Sequence, residues 1–185
     1  MNEAVIIAGE QSEGRGRMGR RFESPKGGLY LSVLTSRIPA GEGALALPPA
    51  AALAVRAAVE KCFGLSCSIK HPNDLLLGGR KISGILCESF SAGERFCAVI
   101  GCGINVLTRI PEDSVRGTGG QFSVPPGALC EFSEAASEAD ALAKLEAAVL
   151  RELMALIDAF AAGGGLNEAA YRRYCVNCPD RIVQY

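Results

Sequence analysis

The 185-residue chain has no tryptophan, a single histidine and 6% aromatic residues. It has no excess of either charge, since 19 basic and 20 acidic side chains leave a net charge of -1. That balance excludes a broadly basic surface, so neither nucleic acid nor an anionic membrane is expected as a partner. No apolar run reaches the ~18 residues that a membrane-spanning helix requires. Met1 is followed by Asn2 and Glu3 rather than by a basic and then an apolar stretch. No signal peptide is read there, and a cytoplasmic location is expected.

The eight cysteines do not read as a disulfide framework. Cys87, Cys97 and Cys102 lie in apolar, strand-like runs, where a free thiol behaves as a small hydrophobe. Cys175 and Cys178 form the only CxxC, no second pair follows it, and His71 is remote in sequence. Zinc, which takes about four such ligands, is therefore disfavoured.

What is present is a chain 49% hydrophobic, enough for one domain with one core. Residues 4–8 and 29–36 read as strands, with a long Gly- and Arg-rich loop over 9–28 between them. An Ala-rich helix is expected over 47–63, opened by Pro48 and Pro49 and ended by Gly64. A short strand follows at 66–70 and a turn-rich stretch at 71–79. Residues 81–89 and 96–100 read as two antiparallel strands, the second closing in a glycine turn at 101–105. Leu142, Leu145, Val149, Leu153, Leu156, Ile157 and Phe160 mark a helix within 139–162, and a further helix is expected at 167–174. Strands followed by helices indicate an α+β domain on a largely antiparallel sheet.

Four segments carry chemistry. In Gly14-Arg15-Gly16-Arg17-Met18-Gly19-Arg20, followed by Arg21, clustered guanidinium groups repel one another unless an anion is present. Glycines let the backbone approach such a ligand. Read alone, the segment equally fits a solvated basic turn or an Arg-Gly patch for nucleic acid, and it lacks the GK[ST] ending of a P-loop. In Lys70-His71-Pro72-Asn73-Asp74, the last two residues are ordinary turn formers. Asp74 could equally hold Mg2+ or position a reacting group, and Lys70 could neutralise phosphate. In Gly79-Arg80-Lys81-Ile82-Ser83-Gly84-Ile85-Leu86, a lysine opens an apolar strand. It either meets an anionic partner, such as a ligand carboxylate or phosphate, or snorkels to water. In Gly101-Cys102-Gly103-Ile104-Asn105, glycines suit a flat ligand and Asn105 offers a donor and an acceptor, though an ordinary glycine turn reads the same.

Their order is more telling than any one of them. GEQSEGRGRMGRRFESPKGGLYLSVL, KHPNDLLLGGRKISGILCE and VIGCGINV, in that succession, resemble the catalytic domain of biotin protein ligases and, more distantly, lipoate ligases. The likeness runs from about Asn2 to Val106 and more loosely beyond. It implies a class II aminoacyl-tRNA synthetase-like fold, a mixed, largely antiparallel sheet packed with helices, spanning residues 1–185 as a single catalytic domain. It implies a ligase that forms biotinyl-5'-AMP from biotin and ATP with Mg2+, then transfers biotin to a lysine of a biotin carboxyl carrier domain. It also allows a homodimer.

Carried over by motif position, Arg17, Lys81 and Asp74 would be catalytic. Gln11, Gly14, Arg15, Gly16, Arg17, Lys81 and Gly84 would contact biotin. Arg17, Phe22, Lys70, Asn73 and Asn105 would contact ATP, and Asp74 would hold Mg2+. Three departures stand out: His71 where the family has tryptophan, Phe22 where an aromatic, often tryptophan, is usual, and two family elements not found. Those are an N-terminal Ser/Thr-Thr-Asn element and a small C-terminal β-barrel. No helix-turn-helix is read. The departures leave open a non-catalytic homologue that binds biotin or its adenylate, or a ligase for lipoate or another short acid.

Overall fold

The computed structural model describes residues 3–108, 110 and 124–183. Six strands, β1 (Glu3–Ala8), β2 (Leu29–Thr35), β3 (Ser68–Lys70), β4 (Asp74–Leu77), β5 (Arg80–Ala92) and β6 (Arg95–Ile104), form one sheet. Their order is β1-β2-β6-β5-β4-β3, and all five pairings are antiparallel. Three helices complete the fold: α1 (Glu42–Phe63), α2 (Ala141–Ala161) and α3 (Glu168–Tyr174). Expected strands and helices are present, and the fold is α+β.

The helices cover one face of the sheet. Leu31 and Val33 of β2 and Ile100, Cys102 and Ile104 of β6 point into the core, as do Val55 and Val59 of α1 and Leu145, Val149, Leu153 and Ile157 of α2. Their burial is the main force holding the layers together. α1 packs against α2 and against β5 and β6 of the sheet, and its Ala51, Ala52 and Ala58 are each fully buried, small side chains that allow close approach. α1 alone among the described residues is long and apolar enough to cross a membrane by length and composition, and most of that stretch is buried within the protein. β1 is one edge of the sheet, and Val5, Ile6 and Ile7 are exposed on both of its faces.

Three boundaries differ from the sequence expectation. α1 begins at Glu42, not Leu47, with Pro48 and Pro49 inside it. The prolines withhold two N–H donors, but burial of Ala46 and Leu47 holds the preceding turn in place. The stretch read as turn-rich contains β4, whose four residues find ladder partners on β3 and β5. Gly101–Ile104 is strand rather than turn. Glycine is a poor strand former, but this end of β6 is paired on both sides, with β2 and β5.

Candidate active site

The other face of the sheet is left open by the same alternation that fills the core. Direct opposites in antiparallel strands share a face. Tyr30 and Ser32 of β2, Gly101 and Gly103 of β6, and Gly84 and Leu86 of β5 therefore lie together. Three of these six have no side chain, so the centre of the sheet has a bare backbone floor. Above it lies a cavity of about 370 Å³, lined by residues from the Arg-rich loop, the β3–β4 turn and strands β2, β5 and β6.

The Arg-rich loop is folded rather than extended. Gln11 N–H donates to the Ser24 carbonyl at 2.9 Å, Phe22 N–H to Gly14 at 2.8 Å and Gly16 N–H to Arg20 at 2.7 Å. A short 3-10 turn at Arg17–Gly19 forms its tip, with Met18 in the left-handed region at φ 58°. Gly14 is required by close packing: a Cβ there would sit 2.2 Å from the Phe22 carbonyl oxygen and 2.5 Å from Ser24 Oγ. Ser24 is buried, and its hydroxyl donates to Gln11 Oε1 at 2.7 Å, holding that side chain at the cavity wall.

The bend between β3 and β4 brings Asn73 and Asp74 to the same cavity. Asn73 is buried and donates through Nδ2 to the Ile85 carbonyl, while its Oδ1 lies 3.5 Å from Arg17 Nη1. The loop tip and the KHPND segment, 56 residues apart, thus meet directly. The His71–Pro72 peptide is cis.

Lys81 reaches the cavity because of a bulge. Asp74 pairs with Gly84 and Leu75 with Ser83, but Leu76 pairs with Lys81, so Ile82 is an extra residue on β5. An inserted residue reverses the alternation beyond it. Without it Lys81 would face the helices; with it Lys81 shares the face of Asp74 and Gly84. Its Nζ lies 2.7 Å from Asp74 Oδ1 and 5.7 Å from the Phe22 ring centroid. The strand lysine therefore has an anionic partner, a carboxylate of the protein itself.

The cavity wall is cationic on balance, with Arg15, Arg17, Arg20, Arg21, Lys70 and Lys81 against Glu13, Asp74 and Glu88. Among the described residues Arg15, Arg17 and Arg20 form no ion pair with a carboxylate. Such a wall favours an anionic ligand carrying more than one charge.

Of the residues singled out from sequence, Gln11, Arg15, Gly16, Arg17, Phe22, Lys70, Asn73, Asp74, Lys81 and Gly84 all line this cavity. Gly14 supports the loop from beneath and does not line it, and Asn105 also stands outside. Asn105 Nδ2 donates to the Gly127 carbonyl at 3.0 Å, and its Oδ1 is buried with no hydrogen-bond partner. Phe22 lies over the floor: a Cβ on Gly103 would be 2.5 Å from its ring, and one on Gly84 would be 3.0 Å away. Ser32, Leu86, Glu88 and Val99 line the cavity without having been singled out. Each sits on the open parity of its strand, a signal that needs correct strand bounds.

Burial shifts several groups. The His71 imidazole lies below its ordinary range, through burial first and then through the positive charge of Arg17. Burial pushes the Tyr30 hydroxyl up to about 12, and that hydroxyl donates to the Pro25 carbonyl at 2.7 Å.

A model of the biotin/lipoate A/B protein ligase family matches residues 1–105. The bifunctional ligase/repressor BirA of Bacillus subtilis is 40% identical over 105 residues, 55% of this chain and 32% of that protein. The biotin--[acetyl-CoA-carboxylase] ligase of Paracoccus denitrificans is 41% identical over 110 residues, 56% of this chain and 44% of that protein. The chain thus spans less than half the length of these curated relatives. The structure of a biotin protein ligase from Aquifex aeolicus, solved in complex with biotin and ATP, aligns with a TM-score of 0.69 at 27% identity. The alignment covers 86% of this chain and 62% of that one, and it bears out the expected fold.

Proposed function

The chain belongs to the biotin/lipoate A/B protein ligase family, and from that premise we propose that it is the catalytic part of a biotin protein ligase. In this reading it joins the biotin carboxylate to the α-phosphate of ATP, releasing pyrophosphate, and then passes the biotinyl group to a lysine of a carboxylase carrier domain. The observation that carries the reading is convergence: Arg17 from the loop and Lys81 from the bulged strand line one cavity over a glycine floor.

The first step brings a carboxylate against a phosphate, two anions that repel. Arg17 and Lys81 would offset that repulsion and stabilise charge as the mixed anhydride forms, an effect worth roughly 3 kcal/mol for one well-aimed donor. The Gly84-Gly101-Gly103 floor would admit a flat ring system against the backbone, with Gln11 and the loop closing over it. Phe22 must leave the floor when a ligand lies there, which frees its ring to stack on an adenine.

Mg2+ commonly takes one or two protein carboxylates, with phosphate oxygens and water completing its shell. Among the described residues no cluster of three or more potential metal ligands exists. A single Asp74 fits that modest requirement, with Mg2+ neutralising phosphate charge when bound with ATP. In the transfer step Asp74, already beside Lys81, would orient the incoming lysine amine as AMP departs.

The direct test is ATP- and biotin-dependent labelling of a carrier domain by this chain, with pyrophosphate release measured in parallel. Labelling with biotin and none with lipoate supports the reading. Labelling with lipoate in preference to biotin would reassign the acid, and binding of both substrates without pyrophosphate release would overturn the catalytic reading.

A further inference from the structure

Two cysteines that this chemistry does not use meet beside the KHPND segment. α3 ends at Tyr174, and Cys175 follows as its cap, its N–H donating to the Tyr171 carbonyl at 3.0 Å. The chain then runs along β3: Ile69 and Cys175 form a parallel bridge, and Val176 N–H donates to the Ile69 carbonyl at 2.9 Å. Asn177, inside the CxxC, accepts the His71 backbone N–H at 2.7 Å. Residues 176–177 form a turn that brings Cys178 back toward Cys175, with Arg172 Nη1 3.6 Å from Cys178 Sγ. Both thiols are only partly covered. Residues 175–178 are therefore a clasp on the edge strand, a tight turn with a thiol at each end.

We propose that Cys175 and Cys178 are a reversible dithiol–disulfide site whose co-reactant is a low-molecular-weight disulfide of the oxidised glutathione type, and that its closure fastens the clasp onto the Ile69–His71 edge. The Cys178 thiolate, beside Arg172, attacks one sulfur of the small disulfide. A protein–small-molecule mixed disulfide forms and one small thiol leaves. The Cys175 thiolate then attacks Cys178 sulfur and expels the second. Two protein thiols become one disulfide, one small disulfide becomes two thiols, and the two protons pass to the leaving groups.

The setting makes the bond durable once formed. A pair that stabilises its thiolate is a strong oxidant; a pair that does not holds its disulfide. Burial and the contact with Cys175 push the Cys178 thiol up, only partly opposed by Arg172. Exchange is accordingly slow near neutral pH and faster in mild alkali. Zinc does not explain the pair, because no group of three or more potential ligands exists among the described residues. Cys87 and Cys102 are also neighbours, but they face the helix-covered core and Cys102 is 3% exposed, out of reach of a dissolved reagent.

The site stands independently of ligase activity, and its test needs no turnover. The full chain is exposed to excess oxidised glutathione in mild alkali, quenched, alkylated and mapped by mass spectrometry, with amide exchange measured in parallel. The expected product lacks two hydrogens, carries one Cys175–Cys178 cross-link that excess dithiol reverses, and exchanges the His71 amide several-fold more slowly. Cys178→Ser should abolish the cross-link. Asn177→Ala should keep the cross-link and lose the slowing at His71. Persistent glutathione adducts without a cross-link would overturn the site. A cross-linked protein with unchanged His71 exchange, or slowing that survives Asn177→Ala, would overturn the clasp.

Discussion

The two faces of strand β6 hold opposite kinds of residue. Toward the helices it presents Ala98, Ile100, Cys102 and Ile104, none more than 3% exposed. Toward the open side it presents Val99, Gly101 and Gly103, which line the cavity. One strand thus anchors the core with one parity and clears room for a ligand with the other. Changes on the two faces should separate stability from function. The largest effect is expected on the covered face. Ile100→Ala should cost about 2–5 kcal/mol of unfolding free energy through lost burial and an unfilled cavity. Chemical denaturation measures it, and a loss under about 0.5 kcal/mol would mean that this parity does not carry the fold.

Next comes the open face's cation. Lys81→Ala should lower biotin adenylation by about 3 kcal/mol, on the order of 100-fold, by removing charge aimed at the forming anhydride. Its stability cost should stay below about 1 kcal/mol, because the Lys81–Asp74 pair keeps 29% and 21% side-chain exposure and partly solvated pairs contribute little. Pyrophosphate release and a denaturation curve on one preparation decide the matter. A variant that unfolds while its residual folded fraction adenylates normally would remove Lys81 from the chemistry.

Much of this division was legible in the sequence. The α2 periodicity from Leu142 to Phe160, the capping Gly64 and the paired strands needed only local patterns. The four chemical segments were visible because glycines beside arginines, or a lysine opening an apolar strand, are locally uneconomical without a ligand. What the sequence concealed depends on pairing. Gly101 and Gly103 looked like a turn because their strand identity comes from β2 and β5 on either side. The facing of Lys81 depends on one bulge residue, Ile82, which no pattern within β5 announces. The partner of Lys81 is Asp74, placed opposite by the β4–β5 register. Residues 107–127 read as a polar, irregular stretch, and 109 and 111–123 of these lie outside the described residues.

A smaller change sharpens the contrast on the open face itself. A Cβ on Gly101 would meet the Leu86 carbonyl oxygen at 3.4 Å and Ser32 Oγ at 3.8 Å, ordinary contacts. Gly101→Ala should fold normally, with a change within about 0.5 kcal/mol. It should nonetheless weaken biotin binding about tenfold, ~1.4 kcal/mol, by raising the floor. Gly103→Ala differs, since its Cβ would press on the Phe22 ring at 2.5 Å. Calorimetry on both variants tests the floor, and unchanged biotin affinity in Gly101→Ala would remove it from the binding surface.

The smallest effect belongs to His71, between the faces. Tyr171 is fully buried, and its hydroxyl donates to the Pro72 carbonyl at 3.1 Å, so its one proton is committed. His71 Nδ1, 3.0 Å from that hydroxyl, must then be the donor, which leaves Nε2 bare in the neutral ring. A second proton would join Nε2 in a half-buried ring near Arg17, and burial followed by that charge holds the imidazole below its ordinary 6.5. The folded state therefore binds fewer protons than the unfolded one just below that value. Stability from this source is complete above about pH 6.5 and falls as pH drops from there toward the folded pKa. Because His71 is the chain's single histidine, the slope has one source wherever the carboxylates stay ionised. Urea midpoints between about pH 5.5 and 7 should rise with pH in the wild type and flatten in His71→Gln. A slope that persists in the variant, or runs the other way, would show that the ring is not held neutral by the Tyr171 contact and Arg17.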